Sequence, residues 1–245
     1  MFHFLVKKDN FSFFKNIQVD MHSHLVPAID DGCQNISESI SLIKKMTDLG
    51  YRKIITTPHI ISDLYPNSRD SILAAFKELE QIIISEKIPI TLNVAAEYFL
   101  DNYFNQCLSQ KEILSFGDTK YLLCEISIAA PPSNLKETIF NILTQGYRPI
   151  LAHLERYLYW INDKYIIPSL IEMGCLMQVN ISSLLGYYGK TVEDYSYKLI
   201  KNNYVSFLGT DIHNKKHLEF YINQRNNLKI YNIIEKYQFL NISLL

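Results

Sequence analysis

The chain has 245 residues, a hydrophobic content of 48% and a formal net charge of −1. Such a length suits one large domain or two small ones, the apolar fraction is enough for a sizeable core, and no long polar linker marks a boundary. A charge so near zero argues against nucleic-acid and anionic-membrane partners, which need a clustered basic surface, and no run approaches the roughly 18 apolar residues that cross a bilayer.

The opening Met1 to Lys8 has too short an apolar run for a signal peptide, so a cytoplasmic location is expected, with residues 1–16 as an N-terminal arm. From there Ile17, Val19 and Met21 alternate with Gln18, Asp20 and His22, the period-2 pattern of a strand. Residues two apart in an extended chain point the same way, so His22 and His24 project together and can grip one divalent metal. Asn35 or Ser37 caps a helix with Ile36, Ile40, Ile43 and Met46 on one face, and Gly50 ends it. A second strand over 53–57 closes on Pro58 and His59, and a helix over 68–85 turns Leu73, Phe76, Leu79 and Ile83 inward. A third strand over 90–96 ends at Glu97, and 98–120 mixes helix and loop. The apolar strand 120–126 carries Glu125; after a helix over 134–145, the strand 148–153 ends at His153. Helices near 163–173 and 193–202 alternate with strands 175–180 and 205–211; Asp211 and His213 follow the last of these, before a helical tail from Lys215.

About seven near-continuous apolar strands separated by amphipathic helices imply a parallel sheet covered on its faces. A TIM-like barrel is the favoured architecture, and a doubly wound open sheet is the alternative. At the carboxyl ends of barrel strands, residues far apart in sequence meet. His22, His24, Asp31, His59, Glu97, Glu125, His153, Asp211 and His213 all fall at such ends, and only His3 and His217 among the seven histidines do not. Reading them as ordinary hydrogen-bonded groups demands a separate reason for each. They are too many for one ion, and mixed imidazole–carboxylate ligation suits manganese, iron or zinc better than calcium or magnesium. A carboxylate such as Glu97 can bridge ions, so two or three metals are expected. The scattered Cys33, Cys107, Cys124 and Cys175 form no CxxC pair, and none precedes an arginine at the spacing of a cysteine-phosphatase loop.

Together, His22-Ser-His24, Asp30-Asp31-Gly32, Thr57-Pro58-His59, Glu97, Glu125, His153-Leu-Glu-Arg156-Tyr157 and Asp211-Ile-His213-Asn214 resemble the PHP (polymerase and histidinol phosphatase) superfamily. Within it the likeness is to the manganese-dependent tyrosine phosphatases of bacterial capsule and exopolysaccharide operons, over about residues 17–215. The resemblance implies a distorted (β/α)7 barrel with Mn2+ in two or three sites, iron or zinc being compatible. It assigns His22, His24, Glu97 and Asp211 to a first metal, Glu97, Glu125 and His153 to a second, and Asp31, His59 and His213 to a third. It implies that Arg156 holds substrate phosphate, while Asp31 and His59 are essential to turnover. A second family arginine is missing, and Lys215 or Lys216 stands near its place. The implied partner is a phosphotyrosine protein, the tail of a polysaccharide-assembly tyrosine kinase. A phosphatase for a small ester such as histidinol phosphate, or a non-catalytic phosphotyrosine-binding regulator, is the alternative. Asp20 reads either as a support for these ligands or as plain strand-end polarity, and the oligomeric state stays open.

Overall fold

The computed structural model describes residues 13–245, so most of the expected N-terminal arm lies outside the described residues. A short helix α1 (Phe14–Ile17) comes first, so Ile17 ends a helix instead of opening a strand. Gln18, in the left-handed region at φ 58°, turns the chain into β1 (Val19–Asp20). Helix α2 (Ile36–Leu49) is capped by Asn35, whose side chain accepts from the Glu38 N–H. Its buried stripe is Ser39, Leu42, Ile43, Met46 and Leu49; Ile36 and Ile40 lie at the margin. Next come β2 (Lys53–Thr56), β3 (His59–Ile60) and α3 (Arg69–Ser85), which starts on a reciprocal Ser68–Ser71 cap and buries Ile72 in the place expected for Leu73.

The chain continues through β4 (Thr91–Val94), β5 (Glu97–Phe99), α4 (Asn102–Gln110), β6 (Tyr121–Glu125), α5 (Leu135–Thr144) and β7 (Arg148–Leu151). Then follow α6 (Ile166–Glu172), β8 (Leu176–Asn180), α7 (Ile181–Leu184), α8 (Lys190–Lys201), β9 (Phe207–Gly209), α9 (Lys215–Gln224) and α10 (Leu228–Lys236). In the tail, α10 buries Ile230 and leaves Leu228 in solvent.

Every strand ladder among the described residues is parallel. The seven expected strands are all present, but two are each broken into two short pieces, β2/β3 and β4/β5, which split the sheet into β1-β2-β4 and β3-β5-β6-β7-β8-β9. The breaks have local causes. Pro58 has no N–H to give the ladder, and the Ala96 N–H turns aside to the Leu114 carbonyl at 3.2 Å. Between the last run and the first the seam closes by a thin ladder: the Asp211 N–H donates to the His22 carbonyl at 2.7 Å and the His24 N–H to the Ile212 carbonyl at 2.9 Å. The result is a distorted TIM-like barrel, as the strand–helix alternation implied.

Its interior is plugged by a small apolar cluster that includes Val19, Met21, Ile55, Ala95, Leu123, Ile150, Ala152 and Phe207. A larger apolar layer between strands and helices surrounds it and takes in Cys33, Cys107, Cys124 and Cys175. Side chains two and four residues on from plug residues share their face of an extended strand. Ile55 thus leads to His59, Ala95 to Glu97 and Leu123 to Glu125, lifting the polar groups above the plug at the carboxyl end.

Candidate metal centre

Register brings the first pieces together. His59 sits beside Glu97 in the β3–β5 ladder, and Phe99 beside Glu125 in the β5–β6 ladder. Glu97 Oε2 lies 3.1 Å from His22 Nε2 and 3.4 Å from His24 Nε2, and Asp211 Oδ1 lies 3.4 Å from each of the same two nitrogens. On the other side, Glu97 Oε1 is 3.0 Å from His153 Nε2, and Glu125 Oε2 is 3.7 Å from that nitrogen. Asp31 Oδ1 reaches 3.6 Å to His59 Nε2 and 3.5 Å to His213 Nε2. All nine residues singled out as ligands therefore converge on one basin, most of them buried; the Asp31 side chain stays 52% exposed at the mouth. His59 stands between two groups, its Nδ1 facing Glu97 and Glu125 at 3.3 and 2.9 Å while Nε2 faces Asp31.

Whether these residues suit metal is decided by where the protons lie. Asp211 accepts from Asn180 Nδ2 at 2.7 Å, which turns Asn180 Oδ1 to Gln178 Nε2 at 2.8 Å. Gln178 Oε1 is then left to accept from the His153 N–H at 2.9 Å and from His22 Nδ1 at 3.0 Å. His22 thus carries its proton on Nδ1 and points the Nε2 lone pair into the basin. His24 does the same through Asp30 Oδ2 at 2.9 Å, and His213 through the Asp211 carbonyl at 2.9 Å. A carboxylate, amide or carbonyl behind each ring, with a bare nitrogen in front, is the arrangement of metal-binding histidines. His59 Nδ1 and Glu125 Oε1, though close, are buried without a hydrogen-bond partner. The donor set fits divalent cations.

Electrostatics show how strongly the basin draws positive charge. Burial disfavours the His22 imidazolium, yet Glu97 and Asp211 outweigh it and carry its pKa up to about 9, so His22 Nε2 takes a proton unless a cation displaces it. Burial also works against ionised Glu97 and Asp211, but His22 and the neighbouring imidazoles hold both carboxyls well below their ordinary range. A buried pair of permanent carboxylates demands positive charge opposite it.

Several supporting residues escape a ligand-type search. Asp30 holds His24 and also accepts from the His59 and Gly32 N–H groups at 3.0 and 2.9 Å. Gln178 and Asn180 link three ligands, as described. Glu155 accepts from the Asn180 N–H at 3.0 Å. Asp20 touches none of the ligand rings by hydrogen bond; it clamps Thr210, accepting from its N–H at 2.9 Å and its hydroxyl at 2.8 Å, next to Asp211. Asp30 and Glu155 lie within the sequence motifs and Asp20 reads from sequence as one candidate support, whereas Gln178 and Asn180 have no sequence signal. Backbone strain is placed here too, since His153 (φ 33°) and Asp211 (φ 53°) occupy the left-handed region. Two glycines admit the ligands. A Cβ on Gly32 would lie 2.2 Å from the His24 carbonyl oxygen, and one on Gly209 would lie 2.8 Å from the His22 Cβ.

Arg156 lines the same cavity of about 550 Å³ as His59, Glu125, His153, Asp211 and His213. Its guanidinium rests 5.2 Å from the Tyr188 ring centroid; burial works against its charge, but Asp211 together with Tyr188, Glu155 and Glu97 more than offsets it. Lys215 is exposed and reaches Glu219 on its own helix at 3.7 Å, and neither it nor Lys216 lines the cavity.

Fold and site together define a class: a metal-dependent α/β barrel with its ligands on the carboxyl face. The family model for capsular polysaccharide synthesis, CpsB/CapC, matches residues 18–237, and the chain belongs to that family. It is 30% identical over 203 residues to the tyrosine-protein phosphatase YwqE of Bacillus subtilis, covering 83% of this chain and 80% of the relative. With tyrosine-protein phosphatase CpsB of Streptococcus agalactiae it shares 28% identity over 201 residues, 80% of this chain and 83% of that one. Among solved structures, a chain described as one of the metal-dependent tyrosine phosphatases YwqE (Bacillus subtilis) and CpsB (Streptococcus pneumoniae) superposes with a TM-score of 0.76 at 27% identity, over 90% of this chain and 96% of the other. The histidinol phosphate phosphatase of Lactococcus lactis shares the fold, with a TM-score of 0.58 at 15% identity over 91% and 94% of the two chains.

Proposed function

We propose that this chain is a metal-dependent protein-tyrosine phosphatase, acting as one catalytic domain in the cytoplasm on the tyrosine-rich tail of a kinase that drives capsule or exopolysaccharide assembly. The observation that carries the reading is the basin of bare imidazole nitrogens and ionised carboxylates with one guanidinium beside it, in a chain whose relatives bear that activity in their names.

His22, His24, Glu97 and Asp211 would hold one metal, Glu97, Glu125 and His153 a second, and Asp31, His59 and His213 a third, with Mn2+ the favoured ion. Bound metals of this kind acidify water and offset charge on phosphoryl oxygens. The chain's own groups do the rest. Arg156 presents a planar fork of donors to two oxygens of the phosphoryl group and keeps its orientation by lying over Tyr188. Gln178 and Asp30 keep the His22 and His24 rings turned so that Nε2 of each faces the basin. A phosphocysteine route is disfavoured because no cysteine lines the cavity, and burial pushes the Cys33 and Cys175 thiols up to about 12. Direct hydrolysis by water needs no phosphoenzyme and uses the basin as it stands.

The test is phosphate release from a phosphotyrosine peptide by metal-stripped protein with and without Mn2+. Strong Mn2+-dependent release that disappears in His22→Ala and falls by most of its value in His59→Ala and Asp31→Ala is expected. Near-normal turnover in either of the last two would remove that residue from the ligand set. No release from protein carrying its metals would sink the tyrosine-phosphatase reading and leave a small phosphate ester or pure phosphopeptide binding.

A further inference from the structure

Resting on that reading, we propose that an apolar slot above the metal centre, built from Leu64 and Tyr65 on one flank and Ile126 and Ile128 on the other, receives the aryl ring of the substrate. It would select aryl over alkyl phosphates.

The slot follows from strand order. β5 lies between β3 and β6, so the segments that leave β3 and β6 at the carboxyl end flank the end of β5 at Phe99. Leu64, Tyr65, Phe99, Ile126 and Ile128 line the same cavity as His59, Glu125 and Arg156. One wall of that space is thus polar and suits a phosphoryl group; the other is mainly apolar, with Asp63 and Ser127 interspersed, and suits what the phosphoryl group is attached to. Leu64 is 69% exposed and Ile128 57% exposed at this mouth. Large apolar side chains standing in water beside a reactive basin mark a surface that another molecule covers.

Both flanks are held in place before any ligand arrives. The Ile61 N–H donates to the Tyr65 carbonyl at 3.0 Å and the Tyr65 N–H to the Ile61 carbonyl at 2.9 Å, closing a tight turn that presents Leu64. The Ser62 N–H is tied to Asp101 Oδ2 at 3.2 Å, and Asn67 Nδ2 to the His59 carbonyl at 2.9 Å. Opposite, the Ile126 N–H donates to the Tyr157 hydroxyl at 3.2 Å, and the Tyr159 hydroxyl donates to the Ser127 carbonyl at 2.9 Å. The Tyr65 ring stacks on His59 at 5.5 Å with planes 13° apart, carrying a flat aromatic surface outward from a ligand ring. A flat slot with rigid flanks rewards a planar ring and gives a short alkyl chain little to touch.

The experiment compares phenylphosphonate with ethylphosphonate as inhibitors of Mn2+-loaded protein, by displacement in a direct binding titration and by inhibition of phosphotyrosine-peptide hydrolysis. The variants are Leu64→Ser, Ile128→Ser and the double change, all at exposed positions. Wild-type protein is expected to bind the phenyl compound more tightly, and the double variant to lose about tenfold of that preference. The loss should appear in KM for the phosphotyrosine peptide more than in kcat, and the kcat/KM ratio of phosphotyrosine over phosphoserine peptide should fall with it. Equal binding of the two phosphonates by wild-type protein, or equal shifts for both in the variants, overturns the slot. Failure of the phosphatase reading is a different result: no peptide turnover at all, with the phosphonate comparison still readable by binding.

Discussion

His22, His24 and His213 each reach the basin by Nε2 because a fixed acceptor holds the proton on Nδ1: Gln178 Oε1, Asp30 Oδ2 and the Asp211 carbonyl. Gln178 has the widest reach of these supports, since one amide serves His22, the His153 backbone and Asn180 at once. Gln178→Leu keeps the volume and removes the acceptor, so the His22 tautomer is freed. Mn2+ affinity is expected to fall about 10- to 100-fold, read by calorimetric titration. Unchanged affinity would make Gln178 a space-filling residue only. The candidate ligands were legible as a pattern because imidazoles and carboxylates recur at strand ends, where an acid or histidine has little structural use. Gln178 was not legible, because a buried glutamine has many ordinary reasons to exist and its partners lie as far as 156 positions away. The left-handed conformations of His153 and Asp211 were equally hidden; each costs roughly 1–3 kcal/mol, and the surrounding hydrogen bonds hold them there.

At the level of elements, the weak place is the seam between β9 and β1. Beneath the thin ladder through His22, His24, Asp211 and Ile212, the gap is bridged by a side chain from the C-terminal segment. Asn241 is buried; its Nδ2 donates to the Val19 carbonyl at 3.0 Å and the Leu208 carbonyl at 2.7 Å, and its Oδ1 accepts from the Leu208 N–H at 3.0 Å. One amide thus ties the two strands together. Asn241→Ala strands those backbone groups and is expected to cost about 2–4 kcal/mol. The melting temperature should drop by roughly 5–15 °C, measured by circular dichroism. A shift within about 2 °C would show that water or neighbouring groups replace the amide. Elements far from the seam were easier to read: α3 with its Ser68 cap and β6 with its apolar run appear almost where periodicity placed them. The faces of α2 and α3 were displaced by a residue or so, because the exact stripe depends on how the helix rolls against the sheet.

Across the whole molecule, a net charge of −1 conceals a strong local imbalance. Glu97 and Asp211 remain ionised in the interior, with Glu125 and Asp31 nearer the surface. Cations that bind the folded basin and not the unfolded chain stabilise the fold by mass action, about 2.7 kcal/mol per site at a hundredfold excess over Kd. Chelation is therefore expected to lower the melting temperature by several degrees, with full recovery on adding Mn2+. Equal melting of stripped and loaded protein would mean that the basin is held by its own hydrogen bonds alone.

Amino-acid order alone determined the strand–helix alternation, the barrel class and the residue types available for chemistry, since hydrophobic periodicity and strand-end polarity are local signals. Tertiary structure alone decided which nitrogen of each imidazole faces inward, that the Ala96 N–H turns away to Leu114 and breaks its strand, and that Asn241 closes the seam. It also decided that Leu64 and Ile128 meet at one mouth. These depend on groups tens to hundreds of residues apart being brought within hydrogen-bond or van der Waals reach, and no local pattern carries that distance.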